Sequence, residues 1–197
     1  GRATAVFAFG RFNPPTIGHQ KLIEKVQSMA NQVNGKAFIF LTHTQNNKKD
    51  PLSFQEKQAY IRSQITDPNL EIGDPGVKTI IQALQKIQAQ GRTRVIMVAG
   101  DDRVVEFQKL LNQYNGKPDQ KGNELYNFDF VDVISAGERD PDASGVSGMS
   151  GSKMRSFVQK DKFEKFRKGL LSKNSKLAKK VFYLIKILFH FLTFQKF

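Results

Sequence analysis

The sequence contains no cysteine. Disulfides and cysteine-based zinc sites are therefore excluded, which fits a reducing compartment. Three histidines, widely spaced, form no cluster that suggests a structural metal. Acidic residues are missing from the end of the chain: the last is Glu164, and Lys165–Phe197 holds nine Lys or Arg. The other 22 basic and 18 acidic residues leave 1–164 with +4 of the total +13. The excess charge sits in a tail, where it favours nucleic acid or an anionic membrane surface. The nearly balanced remainder suits small phosphate ligands. No signal peptide opens the chain. The strongly apolar run Val181–Phe194 is too short to span a bilayer and holds Lys186 and His190. Internal repeats are absent. A strand-like run follows Gly1 almost at once, so further residues are expected upstream.

What is present is an alternation of strands and helices. Ala3–Phe9 is a β-branched and aromatic run ended by Gly10 and reads as a buried strand. Pro14 and Pro15 keep Gly10–Thr16 out of helix. Ile17–Asn31 carries Leu22, Ile23, Val26 and Ala30 at the spacing of a helix with one buried face, stopped by Gly35. Ala37–Thr42 is a second strand, followed by the polar loop His43–Pro51. Ser53 and Glu56 have the spacing of a capping box and predict a helix to about Thr66. Leu70–Ile72 allows a short strand. Val77, Ile80, Ile81, Leu84 and Ile87 mark a helix ended by Gly91, and Arg94–Ala99 is a third clear strand. Asp102–Asn115 is a helix with Val104, Phe107, Leu111 and Tyr114 on one stripe. Phe128–Ile134 is the last strand, and a helix follows from Ser152.

This order predicts an α/β fold: a Rossmann-like, doubly wound parallel sheet of about five strands with helices on both faces, plus a helical, basic then apolar C-terminal tail. The expected boundary divides 1–160 from a tail at 161–197. Ligands of such sheets bind at the carboxyl ends of the strands. Loops 10–19, 43–53, 100–103 and 135–152 all follow strands, so all are expected at that edge.

The first of these loops reads Phe9-Gly10-Arg11-Phe12-Asn13-Pro14-Pro15-Thr16-Ile17-Gly18-His19. A strand, a glycine turn and a helix start put backbone N–H groups and a helix dipole at one spot, which favours phosphate. Thr16 and His19 lie on one side of the first helical turn, where hydroxyl and imidazole can donate to phosphate oxygens. Gly18 admits a triphosphate close to the backbone. The same residues would also serve as a plain strand–turn–helix with a threonine cap and an exposed histidine. A second helix start, Met149-Ser150-Gly151-Ser152-Lys153-Met154-Arg155, offers hydroxyls, amides and an arginine fork one turn in. Alone it reads equally as a capped helix with a surface arginine.

The first segment resembles the (H/T)-x-G-H signature of the nucleotidylyltransferase superfamily, with Thr16 where many members have histidine. Its wider frame is similar to NMN adenylyltransferases of the archaeal type. Ser150–Arg155 resembles the I-S-x-T-x-I-R motif of the same superfamily. Asp50-Pro51-Leu52-Ser53-Phe54-Gln55-Glu56-Lys57 is similar to the N-P-F-T-x-x-E-R stretch of the archaeal-type enzymes. The fourth and fifth strand-following segments, Gly100-Asp101-Asp102-Arg103 and Ser135–Asp142, together with Ser150–Arg155, resemble small nucleotidylyltransferase-like proteins of tailed phages. The likeness spans roughly residues 3–160.

The resemblance implies transfer of a nucleoside monophosphate from ATP or CTP to a small phosphorylated acceptor such as NMN, with release of pyrophosphate. It implies catalytic roles for His19, Thr16 and Arg155. It implies nucleotide binding by Phe9, Gly10, Arg11, Phe12, Gly18, Ser150 and Ser152. Lys48, Lys49, Asp101, Asp102, Arg103 and Arg139 are candidates for the acceptor. Lys48 and Lys49 also read as solvated loop charges, Asp101 or Asp102 as a helix cap, and Arg103 as a surface residue. Asp140 and Asp142 either hold their loop or assist Mg²⁺, and His43 is either a strand cap or a site residue. No protein metal ligand is assigned: Mg²⁺ is the expected cofactor, bound mainly through substrate phosphates.

Two other readings of the chain stay open: a cytidylyltransferase acting on a sugar or alcohol phosphate, and a nucleotide-binding module of a viral protein that has lost turnover. The tail reads in three ways: as a helix packed on the main domain or a partner subunit, as an interfacial membrane anchor aided by its lysines, or as a non-native end. Nucleic acid is not the expected partner, a homo-oligomer stays open, and the expected location is the cytoplasm, of a host if the protein is viral.

Overall fold

The computed structural model describes residues 3–137, 149–172 and 174–194. Five parallel strands, β1 (Thr4–Gly10), β2 (Lys36–Leu41), β3 (Leu70–Ile72), β4 (Arg94–Ala99) and β5 (Phe130–Ser135), form one sheet in the order β3-β2-β1-β4-β5. The chain moves outward from β1 through β2 to β3, then crosses back to β4 beside β1. The order reverses between β1 and β4, the doubly wound pattern. Because every strand runs the same way, the segments after β1, β2, β4 and β5 all leave from one edge.

The helices are α1 (Ile17–Gln32), α2 (Phe54–Gln64), α3 (Ile80–Ala89), α4 (Val104–Tyr114), α5 (Gly151–Gln159), α6 (Phe163–Gly169) and α7 (Ser175–Phe194). By contacts the chain forms two compact units. The first comprises the described parts of Gly1–Gly10, Leu22–Thr42 and Asp67–Arg139 and contains the sheet. One sheet face packs Ala5, Phe7, Phe38, Phe40, Val95 and Met97 with Ala83, Leu84 and Ile87 of α3 and Leu111 of α4. The alternate residues Val6, Ala8, Ile39, Leu41 and Val98 are buried as well, as are Ile23, Val26 and Ala30 of α1. Strands buried on both faces account for the continuous apolar runs in the sequence. Gly35 follows α1 because a Cβ there would lie 2.5 Å from the Thr4 carbonyl oxygen.

Two helix starts differ from the sequence reading. α3 begins at Ile80, not Val77. Thr79 is its cap, its hydroxyl accepting from the Gln82 amide at 3.1 Å, while Val77 is buried ahead of the helix. The residues Asp101–Arg103 form a 3-10 turn, and α4 proper starts at Val104.

The second unit comprises Arg11–Lys21, His43–Thr66 and the described part of Asp140–Phe197. The capping box of α2 is present: Glu56 N donates to Ser53 Oγ at 3.1 Å, and Ser53 N to Glu56 Oε1 at 2.9 Å. α6 and α7 belong to this unit and pack on α5. Phe166, Leu170, Leu171, Ala178, Val181, Phe182 and Ile185 are buried, with the Phe182 ring set edge-on to Phe163 and Phe166 at 5.4 and 5.3 Å. The Leu171 amide donates to the Pro15 carbonyl at 3.1 Å, and Leu170 forms an antiparallel bridge with Thr16. The tail is thus folded against the rest of its unit. Among the described residues no helix is long and apolar enough to cross a membrane.

Candidate functional site

The loop after β1 is held by a buried amide. Asn13, 2% exposed, donates from Nδ2 to the Leu52 carbonyl at 2.9 Å and accepts from the Leu52 amide at 2.9 Å. One side chain therefore ties residues 39 positions apart. Asn13→Ala would leave two buried backbone groups of Leu52 unpaired, at about 1–3 kcal/mol each before relaxation. A net loss of about 2–3 kcal/mol in denaturant unfolding is expected. A change within about 0.5 kcal/mol would show the clamp to be dispensable.

Thr16 is fully buried. Its hydroxyl donates to the Met149 carbonyl at 3.0 Å and accepts from the His19 amide at 3.2 Å. Its own amide donates to His19 Nδ1 at 3.0 Å. A backbone N–H can only donate, so Nδ1 is the acceptor and the proton of the neutral imidazole lies on Nε2. The ring rests against Phe12, 4.6 Å between centroids. Phe12 is buried with φ 49°, a left-handed conformation that costs a phenylalanine roughly 1–2 kcal/mol.

Arg11 stands beside this loop. Its fork grips Asp50, Nε to Oδ1 at 3.0 Å and Nη2 to Oδ2 at 2.7 Å. The Arg11 side chain is 55% exposed and that of Asp50 1%. Asn46 Nδ2 also donates to Asp50 at 3.0 Å, and Asn46 Oδ1 accepts from the amides of Lys48, Lys49 and Asp50. Burial is the largest influence on Asp50 and pushes its pKa up. The hydrogen bonds and charges of Arg11, with Asn46 and Lys57, outweigh it and hold the carboxyl below its usual value. The Asp50 hydrogen bond raises Arg11.

Lys57 of α2 lies under the pair. It is fully buried, and Nζ donates to the Arg11 carbonyl at 2.7 Å. Burial lowers its pKa to about 8, opposed by Asp50 and aided by Arg11.

α5 brings the second motif. Ser150 caps it, accepting from the Lys153 amide at 3.1 Å. Arg155 donates from Nη1 to the Asn13 carbonyl at 2.8 Å and from Nη2 to Ser152 Oγ at 3.2 Å. Gly151 leaves room for this: a Cβ there would sit 3.0 Å from Nη1 of Arg155 and 3.2 Å from the Asn13 oxygen. Burial lowers the Arg155 pKa, as does the nearby charge of Arg11, while Asp50 opposes. Two guanidiniums that repel each other are held close, which marks a place suited to an anion.

The second unit therefore gathers Arg11, Phe12, Thr16, Gly18, His19, Ser150, Ser152 and Arg155. Two of them differ from expectation. The Thr16 hydroxyl is turned inward, its hydrogen on Met149, so Thr16 orients His19 instead of facing a phosphate. Arg11 is bound to Asp50. Lys48 and Lys49 are exposed on the turn that Asn46 organises. His43 stacks on Phe54, 4.1 Å between centroids. Phe9 and Gly10 end β1 in the first unit, half-buried. Asp101, Asp102 and Arg103 also belong to that unit. Neither aspartate caps a helix with its side chain. Arg103 pairs with Glu106 at 3.0 Å and lies over the Phe107 ring, the surface arrangement. Arg139, Asp140 and Asp142 lie outside the described residues. Among the described residues no group of three or more His, Asp or Glu could hold a metal.

Sequence reasoning missed Asn13, Asp50 and Lys57 as site residues. The signal for Lys57 was its place at the arginine of the N-P-F-T-x-x-E-R pattern, and for Asp50 at the asparagine that opens it.

Among curated proteins none matches the chain. Among solved structures, a nicotinic acid mononucleotide adenylyltransferase from Plasmodium falciparum, complexed with NaAD, superposes with a TM-score of 0.59. It is 15% identical, over 95% of this chain and 98% of that one, a likeness of fold. The cytidylyltransferase-like family matches residues 7–155, from β1 through the last arginine of the second motif. The chain belongs to that family, within the nucleotidylyltransferase superfamily.

Proposed function

We propose that the protein transfers AMP from ATP to a phosphate-bearing mononucleotide acceptor such as NMN, releasing pyrophosphate. The observation that carries this reading is the fixed His19 tautomer in the unit that also holds Arg11 and Arg155: an N–H donor and cationic forks. The one hydroxyl near the imidazole, Thr16 Oγ1 at 3.2 Å from Nδ1, is buried with its hydrogen on Met149 and is no nucleophile. Such a site suits phosphoryl chemistry done by positioning and charge neutralisation. An acceptor phosphate oxygen attacks the α-phosphorus and forms the new P–O bond. The bond from the α-phosphorus to the bridging oxygen breaks, and pyrophosphate leaves with the electron pair. His19 Nε2–H donates to the oxygens that gain charge. Arg155, with Ser150 and Ser152 at the start of α5, holds the β- and γ-phosphates. Arg11 and the loop from Phe9 to Phe12 flank the α-phosphate or the adenine, Gly18 lets the triphosphate approach, and Thr16 sets the imidazole. Lys48 and Lys49 are offered to the acceptor.

Mg²⁺, when bound, would neutralise the triphosphate. Its coordination would come mainly from the phosphate oxygens of the substrates. The adenylyl donor is favoured by the enzyme of similar fold solved with NaAD. The family description favours the alternative, a cytidylyl donor with a sugar or alcohol phosphate.

The test is pyrophosphate release by the purified protein with Mg²⁺, ATP or CTP, and a panel of phosphate acceptors, with Arg155→Met as control. Turnover with ATP and a mononucleotide, lost in the variant, is the expected result. Turnover with CTP alone would establish the alternative. Binding without release on any pair would leave a nucleotide-binding module.

A further inference from the structure

A fully buried lysine is rare and needs a reason. Lys57 reaches 46 residues back to the Arg11 carbonyl, and its charge lies close enough to Asp50 and Arg11 to be felt by both. The three groups form an ordered set. Arg11 is the outer cation, Asp50 the buried anion, and Lys57 the inner cation. We propose that Lys57 is a positioning residue that makes Arg11 exchangeable: it steadies Asp50 from within, so that the Arg11 fork can leave the carboxylate for a phosphate of the nucleotide.

This rests on the nucleotidyl-transfer reading. The physical reason is desolvation. Arg11 gives Nε and Nη2 of its fork to Asp50. Were it to leave without a second cation nearby, Asp50 would remain as a lone buried carboxylate, which is strongly unfavourable. Asn46 supplies one hydrogen bond but no charge. Lys57 supplies the charge and also fixes the Arg11 backbone, so only the side chain has to move. Lys57 does this only while protonated.

Two charges act on it directly among the described residues. Asp50 favours the ammonium and Arg11 opposes it. Arg155, from α5, acts on Arg11 and Asp50. On α2 itself Glu56 is turned to the Ser53 amide, and Tyr60 is buried. Burial brings Lys57 down to about 8, so its proton is present at pH 7 and lost as pH rises through that value. Asp50 then depends on Arg11 alone, and Arg11 is retained. Nucleotide binding weakens on the alkaline side.

Two measurements test this. The first needs no ligand: the ¹³C signal of the Arg11 guanidinium carbon is followed from pH 6.5 to 10 by direct carbon detection. An inflection near 8 in the wild type, absent in Lys57→Met, is expected. No inflection in the wild type, or the same inflection in Lys57→Met, overturns the proposal. The second measures Kd for ATP and CTP. In the wild type a single proton with a midpoint near 8 weakens binding about tenfold between pH 7 and 9. Lys57→Arg, which keeps its charge, should lose that slope. Lys57→Met should bind weakly and without slope at both values. A slope that persists in Lys57→Arg and Lys57→Met also overturns the proposal. Failure of the folded wild type to bind either nucleotide at pH 7 would instead overturn the nucleotidyl-transfer reading, and the coupling of Lys57 to Arg11 would then stand or fall on the carbon signal.

Discussion

Replacing His19 with alanine is expected to lower nucleotidyl transfer by about 30- to 1,000-fold, the equivalent of about 2–4 kcal/mol for one positioned donor to developing charge. The expectation follows from how the ring is held. Nδ1 is occupied by the Thr16 amide and the ring is braced on Phe12, so Nε2–H is presented in one orientation. Such a donor needs no reorganisation as charge moves toward the leaving pyrophosphate. Losing it should therefore depress kcat more than it raises the KM for the nucleotide, whose arginine contacts remain. Removing the ring also takes the acceptor from the buried Thr16 amide, at about 1–3 kcal/mol, so activity is compared well below the melting temperature of the variant. An activity loss under about threefold would remove His19 from the mechanism.

Phe182→Ala is expected to destabilise the protein by about 3–5 kcal/mol, lowering the melting temperature by about 6 °C or more. Phe182 is 2% exposed and lies edge-on to two phenylalanines of α6. Its deletion opens a cavity in the cluster that joins α5, α6 and α7. The effect should reach the site. α6 leads directly into Leu170 and Leu171, which pair with Thr16 and Pro15, and α5 carries Arg155. Nucleotide affinity should fall together with stability. An unchanged melting temperature would show that the segment beyond residue 160 is not part of the folded protein. Cutting the chain after Lys160 is a poor test of what the basic tail binds, because the cut removes that packing as well.

The legible parts of the sequence were those with short-range patterns. Thr16 and His19 are three apart and do meet. The Ser53–Glu56 capping box formed as its spacing required. The apolar runs at Ala37–Thr42 and Arg94–Ala99 became central strands, since only a sheet covered on both faces buries them. Long-range polar pairs left no such mark. Nothing in the spacing of Asn13 and Leu52, Arg11 and Asp50, or Arg11 and Lys57 shows that they touch, because each contact is set by how two loops are brought together. The inward turn of the Thr16 hydroxyl was hidden for the same reason: its partner, the Met149 carbonyl, is 133 residues away. The tail read in three ways from its composition; in the fold Ala178, Val181, Phe182 and Ile185 are buried, while Tyr183 and Ile187 are exposed.

The bridge between Leu170 and Thr16 bears on how the protein is made. Chains leave the ribosome from the amino end. Arg11–His19 emerges before the partners that hold it, and Asn13 meets Leu52 once 39 more residues have followed. The partners supplied by Met149, Arg155, Leu170 and Leu171 follow by 133 residues or more. A nascent chain thus carries this loop for at least 133 residues of synthesis without the contacts that set it. Premature termination products that include every strand of the sheet would still be inert, and activity should appear late and all at once.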